Sequence, residues 1–256
     1  MNSINEDNYL FKEREQINKD SINDIEYNSA AKKFFEKSIN HKYSYQFDWL
    51  GRPIIQYPQD IIAIQEIVYQ TKPDLIIETG IAHGGSTILL GSLISLLDIL
   101  EGLNPRESKR KVISIDVEIR AHNKQALINH PLSYKYDLIE GSSVSEKVIN
   151  EVYQKAKDYN KVMVVLDSNH THQHVLEELE AYARLVSCNN YCLVFDTIIE
   201  DLPKNTYPQR PWDVGNNPKT AVNTWLKNNS NFIVDQDITD NLLLSVAPSG
   251  YLKRIK

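Results

Sequence analysis

Cysteine is scarce in this chain: two residues in 256, which excludes a disulfide-stapled scaffold. Cys188 and Cys192 read as strand-edge or core thiols of a reducing compartment. A long apolar run is missing as well. The longest, Ile88 to Leu100, is interrupted by Gly91, Ser92, Ser95 and Asp98, short of the ~18 residues of a membrane span. There is no basic excess, since 28 Lys and Arg stand against 34 Asp and Glu, and so no electrostatic footprint of a nucleic-acid binder. The Asn-, Glu-, Asp- and Lys-rich N-terminus lacks the apolar core of a secretory signal. Neither G-x-G-x-x-G, nor a phosphate-binding lysine after a glycine loop, nor H-E-x-x-H occurs. These absences describe a soluble cytoplasmic protein with no nucleic-acid partner and no stable membrane insertion. What is present, 41% hydrophobic and 24% charged residues, suits one α/β domain with an extension.

Residues 1–58 read as an N-terminal extension, partly helical, that packs on the core through aromatics such as Phe34, Phe35, Tyr43, Tyr45 and Phe47. Residues 59–256 form the main domain. Ile61, Ile62, Ile64, Ile67 and Val68 have helical spacing. Strand and helix patterns then alternate. Strands are expected at 75–78, 112–116, 136–141, 162–167 and 191–196, with helices at about 86–100, 121–128, 144–156 and 174–185 between them. Short connections between such units imply a doubly wound, mostly parallel, Rossmann-like sheet. Residues 232–234 and 242–246 are expected to close it as an antiparallel pair.

In such a sheet ligands bind beyond the carboxyl ends of the strands, and here those ends carry Glu78, Asp116, Glu140, Asp167 and Asp196. Acids are poor strand residues; helix capping explains any one of them, but explains all five poorly. The first loop, Glu78-Thr79-Gly80-Ile81-Ala82-His83-Gly84-Gly85-Ser86, is built for close ligand approach. A carboxylate there repels a pyrophosphate and attracts the ammonium of an amino-acid-bearing cofactor, which favours S-adenosylmethionine over a dinucleotide. Asp116 is placed to accept from a ribose hydroxyl, and Gly141-Ser142 to wall an adenine. Asp167 and Asp196 end consecutive strands and should converge on a hard divalent cation, Mg²⁺ before softer metals. A histidine of His170, His172 and His174 suits a general base, with His172 and His174 read as surface or packing residues. The loop near 202–218, with Tyr207, Arg210, Trp212 and Asn217, reads as a lid suited to a sugar-like acceptor.

These motifs resemble the cephalosporin hydroxylase family, whose members look like class I methyltransferases and include macrolide-sugar and rhamnosyl O-methyltransferases. The likeness runs from about Tyr45 to Val246. It rests on E-T-G-x-x-x-G-G-S at Glu78–Ser86, L-D-S-x-H at Leu166–His170, D-T at Asp196–Thr197 and G-N-N-P-x-x-A-V at Gly215–Val222. The resemblance implies an S-adenosylmethionine-dependent O-methyltransferase that binds its cofactor through Glu78, Gly80, Gly84, Gly85, Ser86 and Asp116, with Asp167 also at the cofactor. It further implies Asp167 and Asp196 as metal ligands, His170 as general base, and a sugar or glycoconjugate acceptor. The family usually ends strand five with Glu-Asp, whereas this chain has Phe195-Asp196, so one metal ligand is missing. A homo-oligomer is the expected assembly. The rival readings are a nicotinamide-dependent oxidoreductase, an iron hydroxylase built on two histidines and a carboxylate, and a scaffold that has lost its chemistry.

Overall fold

Strand-forming runs that are apolar on both faces must be covered on both faces, and the computed structural model shows this arrangement. It describes the backbone from residue 3 and side chains from residue 12. Seven strands form one sheet: β3 (Leu75–Thr79), β4 (Lys111–Asp116), β5 (Tyr136–Glu140), β6 (Val162–Leu166), β7 (Tyr191–Val194), β8 (Phe232–Val234) and β9 (Tyr251–Arg254). Their spatial order is β5-β4-β3-β6-β7-β9-β8. The first five are parallel, and β9 runs antiparallel between β7 and β8.

Two cores sandwich the sheet. One face meets α3 (Pro58–Thr71) and α4 (Gly85–Leu100), which is largely buried, with Leu96, Ile99 and Leu100 exposed; the other meets α6 (Glu146–Ala156), α7 (His172–Tyr182) and α8 (Pro218–Leu226). α5 (Ala121–Ile128) follows β4, and α9 (Gln236–Leu242) follows β8. The N-terminal helices α1 (Ser3–Asn23) and α2 (Ile25–Asn40) lead to a hairpin of β1 (Phe47–Trp49) and β2 (Arg52–Ile54). Phe35 stacks on Tyr57 at 4.9 Å, and Ile54 is buried in the first core. No helix among the described residues is long and apolar enough to cross a membrane.

The closing pair differs from expectation. β8 pairs with Tyr251–Arg254, not with 242–246. Residues 243–246 are held as a loop because the buried Asp60 carboxylate accepts from Ser245 Oγ (2.6 Å) and Val246 N (3.0 Å). Leu243 also adopts a left-handed φ of 60°, which a strand does not tolerate.

From β3 the chain winds outward one way through β4 and β5, and from β6 the other way through β7. The gap beyond β3 and β6 is therefore the switch in strand order, where a ligand crevice opens. At that point Asp167 N donates to Thr79 O at 2.9 Å, and the glycine loop starts immediately beside it.

Candidate active site

A cavity of about 350 Å³ occupies the switch point. Gly80 forms its floor with φ +93°, and a Cβ there would lie 2.6 Å from the Asp167 carbonyl carbon. Only glycine permits both the backbone turn and that approach. Gly85 and Ser86, at the N-terminus of α4, complete this wall with Ile81, Ala82 and His83.

The acids behind the loop shape it. Asp116 Oδ2 accepts from Ile81 N (2.8 Å) and Ala82 N (3.1 Å) and its Oδ1 from Glu118 N (3.2 Å), which leaves one lone pair for a hydroxyl donor; Asp116 stands behind the loop and outside the cavity lining. Glu78 corrects an expectation: it is 1% exposed and does not face the cavity. Its carboxylate accepts from Thr87 Oγ1 (2.7 Å) and Ser114 Oγ (2.5 Å). Burial raises its pKa, while the Ser114, Ser86 and Thr87 hydroxyls pull the other way. Glu78 thus acts on the loop through α4. Gly84, Gly141 and Ser142 also stand outside the cavity lining. Ser145, not Ser142, caps α6.

Opposite the loop, Asp167, His170 and Asp196 present ligand atoms that all lie within 4.8 Å of one another. Asp196 follows β7 in the left-handed region (φ 57°), a conformation that Asp accepts more readily than most residues. His170 Nε2 is 3.2 Å from Asp196 Oδ2. Burial and then the Asp196 carboxylate push Asp167 well above the usual carboxylate range. Two converging carboxylates beside an imidazole fit a hard divalent cation, because positive charge there relieves the repulsion and satisfies oxygen donors. The neighbouring Phe195 side chain is buried in the first core and offers no oxygen.

Of the three histidines, only His170 lines the cavity. His172 Nδ1 meets Thr220 Oγ1 at 2.8 Å, and His174 Nε2 lies 3.1 Å from both Ser143 Oγ and Ser168 Oγ. Tyr207, Arg210 and Trp212 close the outer side. The His170 ring meets Trp212 edge-on at 4.6 Å, and the Arg210 guanidinium lies 5.2 Å from the centre of the Trp212 ring. Asn217 is not part of this wall. Fully buried, it caps α8, accepting from Thr220 N and donating to Glu200 Oε2. Asparagine before a proline at the first helical position is a capping signal, and that local role accounts for it.

Sequence reasoning missed the contribution of residues 44–56. Ser44, Tyr45, Pro53, Ile55 and Gln56 all line the cavity. Gln56 Nε2 donates to Asp167 Oδ2 at 3.0 Å. Arg52 reaches His83 O (2.7 Å) and Asn123 Oδ1 (2.6 Å), bracing the glycine loop from outside. The aromatics of this stretch signal docking on the core, and Tyr45 is one of them, but no local pattern tells that the docking surface is the cavity.

A family model described as Rhamnosyl O-methyltransferase/CmcI matches residues 41–255. A curated rhamnosyl O-methyltransferase of Mycobacterium tuberculosis (strain H37Rv) is 25% identical over 197 residues, covering 76% of this chain and 73% of that protein. A solved CmcI structure with Mg and SAM has a TM-score of 0.55 at 15% identity, covering 83% of this chain and 78% of that one. A ligand-free CmcI structure gives 0.56 at 16% identity, covering 83% and 77%. At such identities these two likenesses speak to the fold alone.

Proposed function

The chain belongs to the rhamnosyl O-methyltransferase/CmcI family and is an S-adenosylmethionine-dependent O-methyltransferase, and from that premise we propose that its acceptor is a hydroxyl of a sugar or glycoconjugate. The observation that carries this reading is one cavity in which the glycine loop faces Asp167, His170 and Asp196 beneath an Arg–Trp–Tyr wall. Aromatic and guanidinium groups suit the apolar faces and hydroxyl edges of a sugar ring. The curated relatives named as rhamnosyl O-methyltransferases support the same acceptor class.

In this proposal Gly80, Gly85 and Ser86 hold the methionine end of the cofactor, and Asp116 accepts from its ribose. Gly84, Gly141 and Ser142 shape that groove from behind. Glu78 orders the hydroxyls at the start of α4. Asp167 and Asp196 hold a divalent cation, Mg²⁺ in the cell, which when bound lowers the pKa of an acceptor hydroxyl. His170 takes the hydroxyl proton as the oxygen attacks the sulfonium methyl. The O–CH₃ bond forms as the S–CH₃ bond breaks, and S-adenosylhomocysteine leaves. Asp196 pairs with the ring while it carries that proton, and Trp212 fixes the ring's plane. Positioning of this kind supplies ~7–11 kcal/mol of a barrier. A cytoplasmic setting and a homo-oligomeric assembly belong to the same proposal.

The test is methyl transfer itself. Wild-type protein is incubated with S-adenosylmethionine carrying a deuterated methyl group and a panel of rhamnosides, other glycosides and catechols, and the products are read by mass spectrometry. Label on a sugar oxygen is the expected result. Label on catechols alone would replace the acceptor assignment.

A further inference from the structure

Gln56 sits between β2 and α3, is 4% exposed, and lines the cavity. Its Nε2 donates to Asp167 Oδ2. Its Oε1 is buried without a hydrogen-bond partner among the described residues. With Asp167 ionised, as cation binding requires, the opposite amide orientation would set the carbonyl oxygen against the carboxylate, two acceptors face to face, so the ligating Asp167 fixes which way the amide points. A buried carbonyl left unpaired is costly, and either a donor or a cation relieves it.

The neighbouring cluster is short of oxygen. Asp167, His170 and Asp196 form it, and Phe195 contributes only a buried ring. A hard divalent cation wants six or so donors, mostly oxygen. A further carboxylate would add to the repulsion between Asp167 and Asp196, whereas an amide carbonyl adds an oxygen without charge. We propose that Gln56 Oε1 is a further protein ligand of the divalent cation held by Asp167 and Asp196, with its own N–H locking Asp167 in the binding orientation. The hairpin β1–β2 thereby joins the metal centre, and the extension is required for a complete site. This rests on the reading of Asp167 and Asp196 as metal ligands.

Mn²⁺ is the probe. Full-length protein saturated with S-adenosylhomocysteine is titrated with Mn²⁺ by electron paramagnetic resonance, and deuterium modulation in D₂O counts the water ligands on the bound ion. Gln56→Met should weaken Mn²⁺ at least tenfold, the lower edge of what loss of an outer partner costs, and should add one water ligand. Gln56→Glu, which restores an oxygen, should return the water count to that of wild type. A rise in Tm with S-adenosylhomocysteine equal to that of wild type shows that each variant is folded. Should Gln56→Met fail that check, Gln56→Asn, whose shorter amide falls away from the ion, should add the same water. An unchanged water count in the folded Met or Asn variant overturns the proposal, whatever happens to affinity. Wild-type protein that binds no Mn²⁺, or Asp196→Ala that binds it as wild type does, overturns the Asp167–Asp196 reading instead, and this inference with it.

Discussion

Gly80→Ala separates close packing from mere backbone preference at the switch point. The substituted Cβ would enter the space of the Asp167 carbonyl, 2.6 Å from its carbon and 3.0 Å from Ser168 Cα, at φ +93°. Both neighbours are backbone and have no rotamer to swing away. The positive φ alone costs roughly 1–2 kcal/mol, and the forced displacement of β6's end adds about 1–3 kcal/mol. Together they come to about 2–5 kcal/mol, or roughly 4–20 °C in Tm for a chain of this size. Gly102→Ala is the control: its φ is +73°, but nothing lies within 4 Å of the new Cβ, so only the backbone penalty applies. Thermal unfolding with and without S-adenosylhomocysteine reads both variants. Gly80→Ala should melt lower than Gly102→Ala and lose most of the ligand-induced rise in Tm, because relief of the clash moves the loop away from Asp167. Equal melting and full ligand response in the two variants would refute the reasoning.

His170→Ala should lower kcat by roughly 10²–10⁴-fold with cofactor affinity nearly unchanged, whereas His172→Ala and His174→Ala, which break packing bonds outside the cavity, should cost stability and little rate; wild-type kcat in His170→Ala with a true acceptor would remove it as base. Trp212→Ala should raise the acceptor KM more than it lowers kcat, since its ring forms the outer wall, and an unchanged KM would count against sugar stacking there. Burial lifts Asp60 to about 6, so the folded state binds that proton more tightly than the unfolded chain does. Its contribution is therefore fully present below about pH 4, is lost as pH rises through 6, and amounts to about 3 kcal/mol. Stability from denaturant melts across pH 4–7 should fall more steeply in wild type than in Asp60→Asn, where Asp167 and Glu78, also raised by burial, leave a shallower slope.

The parallel strands were legible because a strand covered on both faces must be continuously apolar, and Val162–Leu166 could be little else. The acids at strand ends were legible as a group, since the sheet's handed winding brings every carboxyl end to one edge. Orientation was not. Glu78 and Asp116 both follow apolar runs, yet hydroxyls on α4 claim the first and loop amides the second, and neither partner is visible in a local pattern. Leu242–Val246 has the composition of a strand, but Asp60, some 185 residues earlier in the chain, holds it as a loop. The true closing strand, Tyr251–Arg254, alternates poorly because only its first two residues are buried. Asn217 carried two signals at once, a lid composition and a helix cap, and the cap prevailed because its side-chain oxygen satisfies the Thr220 N–H, which would otherwise be orphaned. Gln56 was invisible for the plainest reason: its partner lies 111 residues away.

The most direct test of the account is a crystal structure with S-adenosylhomocysteine and Mn²⁺, with data collected at the manganese edge. The account predicts a single anomalous peak enclosed by Asp167, Asp196 and Gln56 beside His170, with the cofactor's sulfur facing it across the cavity from the Gly80–Ser86 loop. A cofactor seated in that loop with manganese absent, or bound only elsewhere on the chain, would contradict it.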